Sequence, residues 1–315
     1  MLLLPGTGFS LVAGFWALLD VVFLFALFLH LLGDCSSRRA GLCSVFQDLI
    51  RYGKTKLGAR PAWLRWFDLP KRWFWHFYFL SVIWNGALLG LLVRSSLLGV
   101  QLPQWMQLLL NFFHKDTNQK ISDGELSTLM ALSLLWLHSL RRLLECLYVS
   151  VFSGGVIHLA QYCLGIGYYL LLGITVLDHA ELDYKKVNIP DLVLQLHWYH
   201  IFGCLLYIWS SLHQNRCHMI LAGLRKDKSG KVVTMQHVMP SGDWFESVSC
   251  PHYFAELLIY ISIAFLFGLT HLTWWLQVLF VLFNQSLAAI LCHEFYHQKF
   301  DSYPTNRKAF IPFVF

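Results

Sequence analysis

Charge is scarce in this chain. Only 13% of its 315 residues are Asp, Glu, Lys or Arg, against about 25% in a soluble domain. The length would suit one or two soluble domains, but the apolar runs leave little material for one. Several motifs are missing too. None of the eight cysteines (35, 43, 146, 163, 204, 217, 250, 292) forms a C-x-x-C pair, so no zinc finger or disulfide framework is expected. No His-His dipeptide occurs, which argues against di-iron histidine boxes in "HWYH" (197–200), "HQNRCH" (213–218) and "HEFYH" (293–297). There is no P-loop and no G-x-G-x-x-G after a strand, so a nucleotide would have to be held by other means. Internal repeats and low-complexity tracts are absent. No basic region precedes the first apolar segment, which therefore reads as a spanning helix and not a cleaved signal.

What is abundant is apolar surface. Hydrophobic residues make up 57% of the chain, with 13 Trp and 25 Phe, and mean hydropathy is +0.52. A membrane helix needs about 20 mostly apolar residues. Seven stretches qualify, roughly 9–33, 74–98, 126–152, 156–178, 196–215, 253–270 and 272–292. The expected fold is all-α, one polytopic membrane domain over residues 1–315. Basic residues orient it. Nine Lys/Arg lie in 34–73, five in 216–252 and three in the tail, against only Lys115, Lys120, Lys185 and Lys186 in the opposite loops. This places the N-terminus on the lumenal side and the C-terminus in the cytosol. The net charge of +6 is mostly that bias, so it suits a lipid-headgroup-facing surface and not nucleic acid.

One apolar segment carries unusual charge. In "WLHSLRRLLECLYVSVFS" (136–153), His138, Arg141, Arg142 and Glu145 fall at i, i+3, i+4 and i+7, on one helical face. A charge at mid-membrane costs ~2.5–3.5 kcal/mol, which marks such residues as functional candidates. An internal ion pair with Glu145 accounts for one arginine. The second suggests an anionic ligand such as a phosphate.

Other motifs resolve against metals. "HEFYH" fits H-E-x-x-H, but a zinc site needs a third ligand and an open position. "DTNQKISDGEL" (116–126) has Lys at position 5 and its Glu at position 10, so it is no EF-hand. No metal is expected. The glycines of "GIGYYL" (165–170) suit close helix packing.

Longer stretches carry a resemblance. "SGDWFESVSCPHYFAEL" (241–257) and "FYHQKFDSYPTNRKAFIPFVF" (295–315) are similar to the steroid 5α-reductase family. "FQDLIRYGKTK" (46–56), "FDLPKRWFWHFY" (67–78) and "LHSLRRLLECLYVSVFS" (137–153) resemble its polyprenol reductase branch. The resemblance implies a seven-helix endoplasmic-reticulum enzyme that takes NADPH from the cytosol and reduces a C=C bond of a long polyprenoid lipid. It further implies supply of dolichol for protein N-glycosylation and a side activity on 3-oxo-Δ4-steroids. Asp68 stands at the family's catalytic carboxylate. His138 matches a histidine beside the catalytic tyrosine, whose own place is taken here by Ser139. Arg142, Arg225, Glu256 and Tyr296 match family positions, the last three around the dinucleotide. His218 stands where steroid reductases have Asp, His252 where they have Asn, and Val238 often replaces Arg. Lys226 joins the phosphate candidates, and Trp244, Phe245 and Tyr296 suit ring stacking.

Hydride adds to a C=C bond only when an electron sink polarises it, so the expected substrate is the unsaturated aldehyde, polyprenal, going to dolichal. The enzyme must supply a donor at the carbonyl oxygen and a proton for the α-carbon. His138 as imidazolium, or a neutral Asp68 in an apolar pocket, suits the first task. The rivals are a sterol double-bond reductase, differing only in substrate, and a methyltransferase of the isoprenylcysteine type, which would consume S-adenosylmethionine. A seven-helix receptor or transporter is the non-enzyme rival.

Overall fold

Each of the seven apolar stretches becomes a helix. The computed structural model describes residues 10–32, 41–113, 124–178, 180 and 186–315. The long helices are α1 (Leu11–Leu32), α3 (Trp75–Leu98), α5 (Glu125–Leu144), α6 (Leu159–Leu177), α8 (Trp198–Gly223), α9 (Pro251–Leu266) and α10 (Leu272–Lys299). Three short helices join them: α2 (Leu42–Ile50), α4 (Gln104–Phe113) and α7 (Ile189–Leu194). Leu11–Leu32, Lys71–Leu98, Leu159–Leu177 and Leu272–Lys299 are long and apolar enough to cross a membrane. The chain is an all-α membrane protein.

Helix pairing follows the need to bury polar backbone and side-chain groups away from lipid. α8 runs along α9, α3 along α5, and α1 along α10. Large rings fill the common core, including Trp16, Tyr260 and Trp274. Their donors are satisfied inside: the Trp16 indole donates to Thr175 Oγ1 at 2.9 Å and that of Trp274 to the Tyr260 carbonyl at 2.9 Å, as a dry core requires. Outward faces stay apolar, with Leu18, Val21 and Phe25 on α1 and Leu205 and Leu212 on α8 all exposed.

The α8–α9 contact depends on Gly203. A Cβ there would stand 2.8 Å from the Ser262 carbonyl oxygen and 2.9 Å from Leu266 Cδ2. Because the nearer atom is backbone, the helices must separate. Gly203→Ala is expected to cost about 1–3 kcal/mol, read as a lower thermal midpoint of the purified protein in detergent.

Several boundaries differ from expectation. The third helix stops being α-helical at Leu144 and widens into a π-turn over Glu145–Val149. The fourth begins at Leu159, because Val156–His158 form a strand, β2. β2 pairs antiparallel with β1 (Asp68–Pro70). That two-stranded ribbon ties the start of α3 to the start of α6. Nearby, a Cβ on Gly155 would stand 3.0 Å from Gly53 Cα, so two loop backbones touch where only glycine fits. α8 runs on to Gly223, two turns past the apolar stretch, and α10 reaches Lys299. Of the "GIGYYL" glycines, Gly165 faces the Phe77 ring, while nothing stands within 4 Å of a Cβ on Gly167. Among the described residues six cysteines are free, but Cys43 is disulfide-bonded, which the spacings do not suggest. Most of the EF-hand-like stretch lies outside the described residues.

Candidate active site

The ends of α5, α8 and α10 and the beginnings of α3 and α9 surround one cavity of about 220 Å³. Lys54, Lys71 and Arg225 line it together with His218, His237, His252, Tyr253 and Tyr296, and among the described residues its lining contains no Asp or Glu. Lys54 sits in the tight turn Gly53–Thr55, which the Tyr52 and Thr55 backbone and side chain hold closed. Its ammonium lies 3.8 Å from the centre of the Tyr296 ring, a cation–π contact. Tyr52 and Tyr253 share a 2.8 Å hydroxyl hydrogen bond, which fixes that turn against α9. None of the three cations pairs with a carboxylate among the described residues. His237 is held down to about 4 by burial and then by Lys54, Arg225 and Lys71, so it is neutral at pH 7. The positive charge belongs to the lysines and the arginine.

A buried carboxylate clamp stands behind this cavity. Glu145 is 3% exposed. It receives Arg141 Nη1 at 2.5 Å, Asn215 Nδ2 at 2.8 Å and a short contact from Arg142. His218 Nδ1 lies 2.7 Å from Glu145 and 2.7 Å from Arg142. Both arginines of the charged stripe therefore meet Glu145, which the sequence pairs with only one of them. Two cations on one acid is stable here because Arg141 also reaches Gln214 and His138, while Arg142 donates to Tyr78 Oη at 3.1 and 3.3 Å.

The same logic fixes His138, which is fully buried. Arginine can only donate. Arg141 Nη2, 3.2 Å from His138 Nδ1, makes that nitrogen an acceptor, so Nε2 carries the proton and donates to Glu256 Oε1 at 3.2 Å. Gln214 closes the loop by donating to Glu256. His138 is a neutral imidazole with both nitrogens occupied, not an imidazolium. Asp68 is held in an ion pair of its own. Arg60 grips both its oxygens and also holds Asp48 at 2.7 Å, with Lys56 on Asp48 at 2.8 Å. Neither Asp68 nor His138 lines the cavity.

Of the expected cofactor residues, His218, Arg225 and Tyr296 come together at the cavity. Arg142 and Glu256 lie in the network behind it. Lys226 donates to the Val149 carbonyl at 3.1 Å and Arg225 to that of Val151. The pair thus caps the carbonyls beyond the π-turn and ties the end of α8 to the end of α5. Trp244 stacks on His213, with centroids 4.3 Å apart at 14°, and Phe245 is wholly buried. Lys54 and Lys71 were missed as site residues because the sequence offers them only as part of a basic loop. "RYGKTK" carried the one usable signal, a glycine followed by lysine in a turn.

The arrangement suits a phosphorylated dinucleotide: cations without a carboxylate partner, aromatic rings and, among the described residues, no competing acid. Residues 157–315 match the family model described as 3-oxo-5-alpha-steroid 4-dehydrogenase. The chain is 64% identical over 307 residues to polyprenal reductase of Xenopus tropicalis, covering 97% of this chain and 100% of that one. Against polyprenal reductase of Homo sapiens it is 52% identical over 309 residues, covering 95% and 94%. Against the Danio rerio polyprenal reductase the identity is 51% over 271 residues, covering 86% and 87%. The chain belongs to the 3-oxo-5-alpha-steroid 4-dehydrogenase family, the steroid 5α-reductases that its motifs resemble.

Proposed function

We propose that this protein is a polyprenal reductase of the endoplasmic reticulum membrane, converting polyprenal to dolichal with NADPH. The near-full-length likeness to proteins named for that activity carries the reading. Seven spans, a lumenal N-terminus and a cytosolic C-terminus go with it. The cationic cavity then opens on the cytosolic side, where NADPH is found. Lys54, Lys71 and Arg225 hold its phosphates, and Tyr296 and Tyr253 supply ring contacts. When bound, NADPH supplies the hydride that the protein itself lacks.

The protein's own task is to stabilise charge that develops on the aldehyde oxygen. Tyr78 suits this. It lies in the network behind the cavity lining; its oxygen accepts from Arg142 and is hydrogen-bonded to Tyr169, and the guanidinium stacked 4.9 Å from its ring centre favours charge there. It stands on α3 one turn before Ser81, whose hydroxyl meets Ser139 at 2.6 Å. Ser139 fills the place of the family's tyrosine, and the neighbouring helix provides the phenol instead. Glu145 positions Arg142. His138 and Gln214 fix the Glu256 carboxyl by hydrogen bonds, and Asp68 with Arg60 braces the entrance of α3.

The test is turnover by pure protein with NADPH and no dehydrogenase present. Polyprenal should be reduced about a thousandfold faster than polyprenol, a barrier difference of ~4 kcal/mol, because a free allylic alcohol has no electron sink. Equal rates on the pure alcohol would overturn the aldehyde assignment. Consumption of S-adenosylmethionine without NADPH oxidation would point to the methyltransferase rival.

A further inference from the structure

The "HEFYH" helix turn does not make a zinc hydrolase. Glu294, which would have to act as base, turns away to His30 at 2.8 Å and Arg51 at 3.5 Å. Its two histidines nevertheless converge. His293 Nε2 and His297 Nε2 lie 3.1 Å apart, one helical turn from each other on α10. Two imidazoles bound to one ion at about 2.0–2.1 Å stand roughly 2.9–3.4 Å apart at square or tetrahedral angles. The rings are therefore already spaced for chelation.

His293 is also braced from behind. Its Nδ1 lies 2.6 Å from Ser249 Oγ, which lies 2.6 Å from Tyr303 Oη. If His293 Nδ1–H donates to Ser249, and Ser249 to Tyr303, every group in this relay is satisfied. That tautomer leaves the His293 Nε2 lone pair facing His297. A ligating histidine is oriented in this way by a hydrogen bond on its other nitrogen. His297 is exposed, so a hydrated ion can reach the pair.

From this geometry we infer a surface site on α10 for a divalent transition ion of the zinc, nickel or copper type, held by His293 and His297 with Ser249 as brace. The ion replaces the proton shared between the two Nε2 atoms. No cluster of three or more such ligands forms among the described residues, so water completes the coordination. The site is exchangeable and not catalytic, and it departs from the metal-free expectation drawn from sequence.

The test uses full-length protein in detergent, purified through an affinity tag without histidine. Copper(II) titration followed by electron paramagnetic resonance should show one ion per chain carrying two imidazole nitrogens, and zinc should compete for it. His297→Ala, at an exposed position, should weaken binding more than tenfold, since losing a ligand costs more than the roughly 10-fold minimum for losing an outer-shell partner. Ser249→Ala should weaken it about tenfold through loss of the brace, and His213→Ala should leave it unchanged. Binding that survives His297→Ala, or no ion retained at micromolar copper, overturns the site. Neither outcome bears on polyprenal reduction.

Discussion

Glu145→Ala will destabilise the folded protein by about 3–5 kcal/mol, the usual result of breaking one side of a buried ion pair. Glu145 is the only carboxylate within ion-pair distance of Arg141 or Arg142 among the described residues. Without it, two guanidiniums and the Asn215 amide lose their shared acceptor inside an apolar bundle. The loss should appear as a sharp drop in thermal midpoint and in recovered monodisperse protein. Glu145→Gln keeps the shape and one acceptor oxygen, so its loss should be smaller. An unchanged midpoint for Glu145→Ala would show that water or lipid headgroups already satisfy the arginines. Arg142→Ala tests the other side. A second arginine reserved for a phosphate would make this variant lose NADPH and keep its fold. With Arg142 bonded to Glu145 and Tyr78, it should lose stability too.

The second large effect concerns binding. Lys54→Met should weaken NADPH binding by about 10–100-fold, the worth of one hydrogen bond to a charged group at ~1.5–3 kcal/mol. Lys54 touches the Tyr296 ring and has no carboxylate partner among the described residues, so its removal leaves no orphaned acid there. The fold should survive, and thermal midpoint in the absence of cofactor provides that control. Arg225→Met should act similarly, with an added structural loss because Arg225 also holds the Val151 carbonyl. Lys226→Met should leave affinity nearly unchanged, since Lys226 is tied to Val149 and lies outside the cavity lining. Equal affinities for Lys54→Met and the unaltered protein, measured by cofactor fluorescence titration, would remove the cavity from consideration as the dinucleotide site.

Much was readable from residue order. Hydrophobic length located the helices to within a few residues at most ends, because a lipid-facing helix must be apolar along its whole run. The errors fall where local rules compete. The π-turn at Glu145–Val149 is invisible to a 3.6-residue pattern, since the segment reads as continuous helix. The strand Val156–His158 exists only because β1 lies opposite it. Within the site, Arg225, His218 and Tyr296 were legible as family positions, whereas Lys54 and Lys71 looked like any other basic loop residues.

The sequence by itself determined that this is a helical membrane protein, where its helices lie, and that charge concentrates on the third long one. Those are properties of composition and spacing, which do not depend on neighbours. Only the tertiary structure decided which charges are spent and which are free. Arg142 and Lys54 are both cations in an apolar chain, but one meets Glu145 and the other meets none. Electrostatic partnership in a low-dielectric bundle acts over a few ångströms. It is settled by which helix ends the fold brings together.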